Sequence, residues 1–298
     1  MFQRQTLLVG RHNSTVEIDD QIAGSMMLRL NINGGICLKN YHTHTFRCKH
    51  ADGDVADYAR AALDQGFEVL GITDHTPLPD NRWLPIRMEL SDLPGYVSAI
   101  EEGQKAFPEL KMLKGMECEW APEYNSFFSE VLLGKYSFDY LILGCHFFPF
   151  GGRWLSSHGE IVDAKRLAAY TEFLIKSMRS GLFSFVAHPD LFGLSYLEWD
   201  QNAAAASKDI LSAAEELKLP LEINGYGLMT RTVLNSQGTR TAYPWLPFWE
   251  LAADYDVTVI VNSDAHHPRH VSQGIKQGRQ IARDLGLTLA NLECLERR

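Results

Sequence analysis

From about residue 36 onward, short apolar runs alternate with longer stretches of helical period. Residues 36–41, 69–73, 111–117, 139–145, 183–187, 219–223 and 257–261 are short and β-rich, and read as seven strands. Residues 54–65 place Val55, Tyr58, Ala59, Ala62 and Leu63 on one helical face, and Gly66 stops the helix. Further helices are predicted from Ser91-Asp92-Leu93-Pro94 to about Phe107, and over 124–133, 163–180, 203–217, 246–255 and 271–285. Strictly alternating strands and helices imply parallel strands with helical crossovers, an α/β fold. Residues 1–35 show no period and read as an N-terminal extension. Residues 36–298 contain no internal repeat and no low-complexity linker, so they read as one domain.

Composition narrows the function. The chain has 298 residues and a net charge of −9, which argues against a nucleic-acid surface built from lysine and arginine. An anionic substrate stays open, because bound divalent ions reverse the local sign. The five cysteines, Cys37, Cys48, Cys118, Cys145 and Cys294, are scattered and form no CxxC, which excludes a disulfide framework and a zinc ribbon and fits the reducing cytoplasm. No apolar run reaches the ~20 residues of a membrane span.

The chemistry sits at the strand ends. His42 and His44 are two apart, so on a strand they share a face. Of the seven strands, six end in a potential metal ligand: His42 and His44, His75, Glu117, His146, His188, then Asp264 and His266. A (β/α) barrel gathers such ends at one mouth. Histidine and carboxylate without thiolate suits zinc, iron or manganese in a hydrolytic role, and the number of donors suits two or three divalent ions. Cys118 and Cys145 lie beside ligand positions, and alternation along the strand turns them away from the mouth, into the core.

The pattern resembles the polymerase-and-histidinol-phosphatase (PHP) superfamily over roughly residues 40–280. Within it, the sequence is most similar to the bacterial monofunctional histidinol-phosphate phosphatases. The motifs that carry this are His42-Thr-His44 with Cys48-Lys-His50-Ala, Thr73-Asp-His75-Thr-Pro, Arg87-Met88, and Leu93-Pro94-Gly95-Tyr96. Phe138-Asp-Tyr-Leu before His146, Ala187-His-Pro-Asp-Leu-Phe192, Leu221-Glu-Ile-Asn224 and Asn262-Ser-Asp-Ala-His266 complete them. The resemblance implies a distorted (β/α)7 TIM-like barrel with its metal site at the C-terminal ends of the strands. It implies one ion on His42, His44, Glu117 and Asp264, a second sharing Glu117 and adding His146 and His188, and a third on His50, His75 and His266. His50 is nominated by the resemblance and not by the strand-end argument.

The implied reaction is hydrolysis of a small phosphomonoester, with L-histidinol phosphate first, giving L-histidinol and inorganic phosphate in histidine biosynthesis. A phosphatase for another small monoester, or a nuclease or nucleotide phosphodiesterase, is the alternative. Asp264 and His266 are expected to take part in catalysis. Arg153 after the fourth strand and Arg231 after the sixth are expected to hold the phosphate, and His158 to do the same or to protonate the leaving alcohol. Asp74 and Asp190 are candidates to orient histidine ligands or to hold loops. Glu119, Glu123 and Glu160 are candidates for the substrate's imidazole and amine. The segments 151–158 and 226–243 are expected to form the pocket wall. Oligomeric state is not legible.

Overall fold

In the computed structural model, which describes residues 38–297, all seven expected strands form and an eighth joins them. The N-terminal extension expected over residues 1–35 lies outside the described residues. In chain order the elements are β1 (Leu38–Asn40), α1 (Val55–Asp64), β2 (Phe67–Ile72), α2 (Leu93–Ala106), β3 (Lys111–Cys118) and β4 (Tyr140–Leu143). Then follow a hairpin of β5 (Phe147–Phe150) and β6 (Arg153–Ser156), α3 (Ala164–Met178), β7 (Phe185–Val186), α4 (Gln201–Leu217), β8 (Leu221–Asn224) and α5 (Gly225–Thr230). A second hairpin of β9 (Thr232–Asn235) and β10 (Gly238–Thr241), α6 (Leu246–Ala252), β11 (Thr258–Asn262), α7 (Ile275–Asp284), β12 (Thr288–Leu289) and α8 (Glu293–Glu296) complete the chain.

The helix starts are local chemistry. Asp54 opens α1 in a capping box with Asp57, and the side chains of Asp163 and Asp200 accept from backbone N–H groups at the starts of α3 and α4. The segment expected as a helix over 124–133 winds instead as a π-helix, Phe127–Lys135.

The main sheet runs β1-β2-β3-β4-β7-β8-β11-β12, parallel throughout. Its two sides meet at the top, where Thr43 bridges Ala265 and His44 N–H donates to the Ala265 carbonyl at 2.9 Å. At the other end, Leu292 and Leu295 after β12 pack with Tyr41 and Ile260, and Tyr41 Oη donates to Glu296 at 2.6 Å. The barrel interior is therefore layered. Val69, Leu113, Tyr140, Ile142 and Phe185 fill the lower part. Above them the buried side chains turn polar, with Glu117, Glu119, Glu222, Asn224, Asn262 and Asp264. Burying this many polar groups is costly unless they are paired, so the layer marks the site.

Two expected loops are hairpins. The glycine-rich turn at Gly151-Gly152 joins β5 to β6, and both glycines take positive φ, +58° and +77°. The loop after β8 is a helical turn followed by the β9–β10 hairpin. Their short strands carry too little alternation to read from sequence.

Candidate metal centre

The six strand ends converge as expected. The rings of the seven candidate histidines form a continuous cluster: His44 lies 4.4 Å from His266 and 4.7 Å from His75, His50 is 4.9 Å from His266, His75 is 5.0 Å from His146, His146 is 4.9 Å from His188, and His42 is 5.0 Å from His44. Glu117 stands in the middle. Its Oε1 faces His188 Nε2 at 3.0 Å and His146 Nε2 at 3.5 Å. Its Oε2 faces His75 Nδ1 at 3.0 Å, His44 Nε2 at 3.4 Å and His42 Nε2 at 3.6 Å. The space for this carboxylate comes from Gly144 on the neighbouring strand end, where a Cβ would stand 2.6 Å from Glu117 Oε1. Asp264 Oδ1 closes the opposite side, 3.0 Å from His44 Nε2 and 3.4 Å from His42 Nε2. Two of the residues, His188 (φ +32°) and Asp264 (φ +49°), hold left-handed backbone, a strain that clusters at functional sites.

Polar partners behind the cluster fix which nitrogen each ring presents. Glu222 on β8 faces His42 Nδ1 at 2.9 Å, and it also accepts from Asn262 Nδ2 and Asn224 Nδ2 and from the His188 backbone N–H. Glu119 faces His146 Nδ1 at 2.6 Å and is itself held by buried Arg87 at 2.6 Å. His50 Nδ1 and His266 Nδ1 face the carbonyls of Cys48 and Asp264, at 2.6 and 3.0 Å. In each of these four rings the Nδ1–H donates outward, which leaves the Nε2 lone pair for a cation.

The buried carboxylates give this pocket a field that favours positive charge, whether a proton on His42 and His44 or a metal ion in its place. Burial disfavours a charged His42, yet Glu222, Asp264 and Glu117 outweigh it and hold its pKa well above 6.5. His44 is likewise penalised by burial and raised to about 10, chiefly through Asp264. At His75 burial prevails over Glu117 and keeps the ring neutral, and at His266 burial and the His44 charge push the pKa down to about 3. Burial opposes charge on Glu117 and Asp264 too, but the surrounding histidines hold both carboxyls well below their usual range.

Two observations test whether the residues fit a metal. First, His42 Nε2 and His44 Nε2 lie 3.0 Å apart. At that distance the pair shares a cation, either a proton in an N–H···N hydrogen bond or a metal ion that both nitrogens ligate. Second, His44 Nδ1, His75 Nδ1, His188 Nδ1 and Asp264 Oδ1 are buried without a hydrogen-bond partner in good geometry, although Asp264 and His75 sit against ligand atoms. Oriented nitrogens and ionised carboxylates without a dominant thiolate form the donor set of a hydrolytic transition-metal centre, so the residues fit. Triplets within ligating reach of one another include His42–His44–Glu117, His44–His75–His266 and His75–Glu117–His146.

The other candidates divide. Arg231 is half-buried beside the cluster: its Nη2 lies 3.3 Å from Tyr226 Oη, its guanidinium stands 5.1 Å from the Tyr226 ring centre, and Nε is buried without a partner. The Tyr226 ring is 5.0 Å from His266, which ties this cation to the mouth. His158 stacks on His146, with ring centroids 5.5 Å apart. Arg153 stands apart. Its side chain is 66% exposed at the hairpin turn, and its ionic neighbour is Glu160 at 3.6 Å. Asp74 and Asp190 hold loops and not histidines: Asp74 accepts from Thr45, and Asp190 from the indole of Trp249 and the backbone of Trp245. Glu119 is sealed behind His146 with Arg87 and has no path to a substrate amine, while Glu123 pairs with Arg82. Cys118 and Cys145 are buried in the core as expected.

Glu222 and Arg87 are the residues whose roles sequence reasoning did not assign. The signal was present for Glu222, a carboxylate within the otherwise apolar run 219–223. Arg87 was marked only as part of the Arg87-Met88 motif, and its role comes from the fold, which carries it beneath Glu119.

An expected outcome separates the two arginines. Arg231→Ala should lower turnover of the substrate about 10²-fold, the effect of losing a donor aimed at developing charge. Arg153→Ala should stay within a factor of three or so of the parent, as exposed ion pairs contribute little. Steady-state kinetics on both variants checks this, and equal losses would remove Arg231 from the phosphate site.

Comparison with known proteins extends the picture. The PHP domain family matches residues 40–225. A Deinococcus radiodurans protein named "Probable histidinol-phosphatase" is 32% identical over 265 residues, spanning 85% of this chain and 94% of its own. A Schizosaccharomyces pombe protein of the same name is 22% identical, spanning 83% of this chain and 86% of its own. Among solved structures, the histidinol phosphate phosphatase of Lactococcus lactis, complexed with zinc, L-histidinol and phosphate, matches with a TM-score of 0.66 at 16% identity, covering 85% of this chain and 95% of its own. At that identity the likeness shows a shared fold.

Proposed function

Because this chain belongs to the PHP domain family, we propose that it is a metal-dependent phosphatase that hydrolyses L-histidinol phosphate to L-histidinol and phosphate. The observation that supports it most is the convergence of seven histidines, Glu117 and Asp264 at one barrel mouth, with the half-buried cation Arg231 beside them. The relatives of 32% and 22% identity carry histidinol-phosphatase names, and the L. lactis structure holds zinc with L-histidinol and phosphate.

In this reading His42, His44, Glu117 and Asp264 hold one divalent ion, Glu117, His146 and His188 a second, and His50, His75 and His266 a third, with zinc, iron or manganese matching the donors. Such ions supply a nucleophile from water near neutral pH and neutralise charge on the phosphoryl oxygens. The chain's own groups do the rest. Arg231, braced by Tyr226, binds the phosphate through its fork of N–H donors and fixes it for in-line attack. Glu222, Glu119 and the carbonyls of Cys48 and Asp264 keep the rings in one orientation. Burial and the neighbouring His146 push the His158 pKa down to about 3, so beside His146 it faces the departing alcohol oxygen as a neutral N–H donor, and the P–O bond breaks with solvent supplying the proton that makes the product a neutral hydroxyl. The barrel over residues 36–298 is the catalytic unit in this reading. The reduced thiols of Cys48, Cys118 and Cys145 fit a cytoplasmic location. Among the described residues no helix is long and apolar enough to cross a membrane.

The test is a hydrolysis comparison on metal-analysed protein, with L-histidinol phosphate, other small phosphomonoesters, a phosphodiester and single-stranded DNA as substrates and His42→Ala as control. Phosphate release fastest from L-histidinol phosphate and lost in the variant is the expected result. Turnover confined to other monoesters keeps the mechanism and discards the substrate. Cleavage of the diester or DNA overturns the reading.

A further inference from the structure

Four ligand rings have a visible acceptor on the nitrogen turned away from the centre, namely Glu222, Glu119 and the carbonyls of Cys48 and Asp264. A ring that lends one nitrogen to a cation donates N–H from the other, and the acceptor of that N–H sets tautomer and tilt. Of the remaining rings, His44 faces a side chain without an assigned role. Its Nε2 is committed to the centre, 3.0 Å from both His42 Nε2 and Asp264 Oδ1. Its Nδ1 is buried and has no hydrogen-bond partner. Cys48, fully buried, places its sulfur within 4.8 Å of a His44 ring nitrogen and of Asp74, which makes the thiol an acceptor within reach of the ring. Asp74 is the other acceptor nearby, but its two oxygens already accept from Thr45 N–H at 2.8 Å and Thr45 Oγ1 at 2.7 Å.

The backbone explains how the sulfur gets there. Thr45 caps the short 3-10 turn Phe46–Cys48, and Lys49 follows in left-handed conformation at φ +67°. This reversal turns the Cys48 side chain inward, while its carbonyl accepts from His50 Nδ1 at 2.6 Å.

We propose that Cys48 is a positioning residue for two ligands at once: its sulfur accepts the Nδ1–H of His44 and its carbonyl holds His50. Sulfur is a weak acceptor, but a buried imidazole N–H with no alternative costs more to leave unpaired than to satisfy weakly. The carbonyl contact survives any substitution, so side-chain variants isolate the sulfur. The inference rests on the metal-centre reading above.

The experiment compares the parent with Cys48→Val, which keeps bulk and removes the acceptor, and Cys48→Ser, which restores one. Zinc affinity is read by competition with a chromophoric chelator, thermal midpoints are taken on chelator-treated protein, and absorption spectra on the cobalt-substituted parent. The valine variant should bind zinc about 10–100-fold more weakly at its affected site, the usual effect of losing a partner behind a ligand. The serine variant should recover most of that affinity. The chelator-treated valine variant should melt no lower than the serine variant, so that weaker binding is not a folding defect. Valine binding zinc as the parent does would overturn the proposal. An intense near-ultraviolet thiolate-to-cobalt band in the parent would overturn it as well, by making the sulfur a ligand. A parent that binds no zinc or cobalt would remove the metal-centre reading along with it.

Discussion

Glu117→Gln is expected to slow phosphate release from L-histidinol phosphate by about 10³-fold or more. The residue's two oxygens lie between 3.0 and 3.6 Å from nitrogens of five histidines, so it is the one side chain placed to be shared between ions. Glutamine keeps its shape but removes the charge, and it presents N–H hydrogens to nitrogens that need an anion or a cation. Metal ions contribute several kcal/mol to transition-state stabilisation in such reactions, and each 1.36 kcal/mol is about a decade in rate. The Glu117 backbone N–H pairs with the carbonyls of Thr73 and Asp74, contacts the substitution leaves in place. Circular dichroism should therefore match the parent while metal content falls. Activity within tenfold of the parent, at parental metal content, would show that Glu117 is not the shared ligand.

The second large effect concerns stability. Arg87 is fully buried, donating to Glu119 Oε2 at 2.6 Å and to the Thr76 carbonyl at 2.8 Å, and its other terminal nitrogen has no partner. Burial opposes the charge on Glu119, but Arg87 and His146 hold its carboxyl well below the ordinary range. Glu119→Ala leaves the guanidinium buried and unpaired, a loss of about 3–5 kcal/mol. The pair Glu119→Leu with Arg87→Met removes both charges and should regain most of that stability. It does not regain the orientation of His146, so turnover should stay about 10–100-fold down in both variants. Urea unfolding of chelator-treated protein, set beside steady-state rates, separates the two effects. Full recovery of both quantities in the double variant would mean that Glu119 does not orient His146.

Much of the barrel was legible because its signals are local. A strand of apolar residues ending in a histidine, followed by a helix with its cap and its glycine stop, can be read one unit at a time, and all seven strands followed from that. The convergence of the strand-end histidines and carboxylates was legible for the same reason: a parallel barrel has one mouth, so position along each strand already says which residues meet there. Cys118 and Cys145 were placed correctly by alternation alone.

What stayed hidden depends on distances between segments far apart in sequence. Arg153 and Arg231 look alike as loop arginines, yet the hairpin turn carries Arg153 into solvent while Tyr226 holds Arg231 at the mouth. Glu119 looked available to a substrate, and only the arrival of Arg87 from the loop before α2 shows it to be enclosed. Asp190 sits two residues after a ligand, yet α6 claims it through Trp249. The sequence by itself determined which residue types could bind metal and on which end of which strand they stand, because those follow from periodicity. Only the tertiary structure decided which polar neighbour stands behind each ring, because a hydrogen bond is settled within a few tenths of an ångström between chains of contacts that no local pattern encodes.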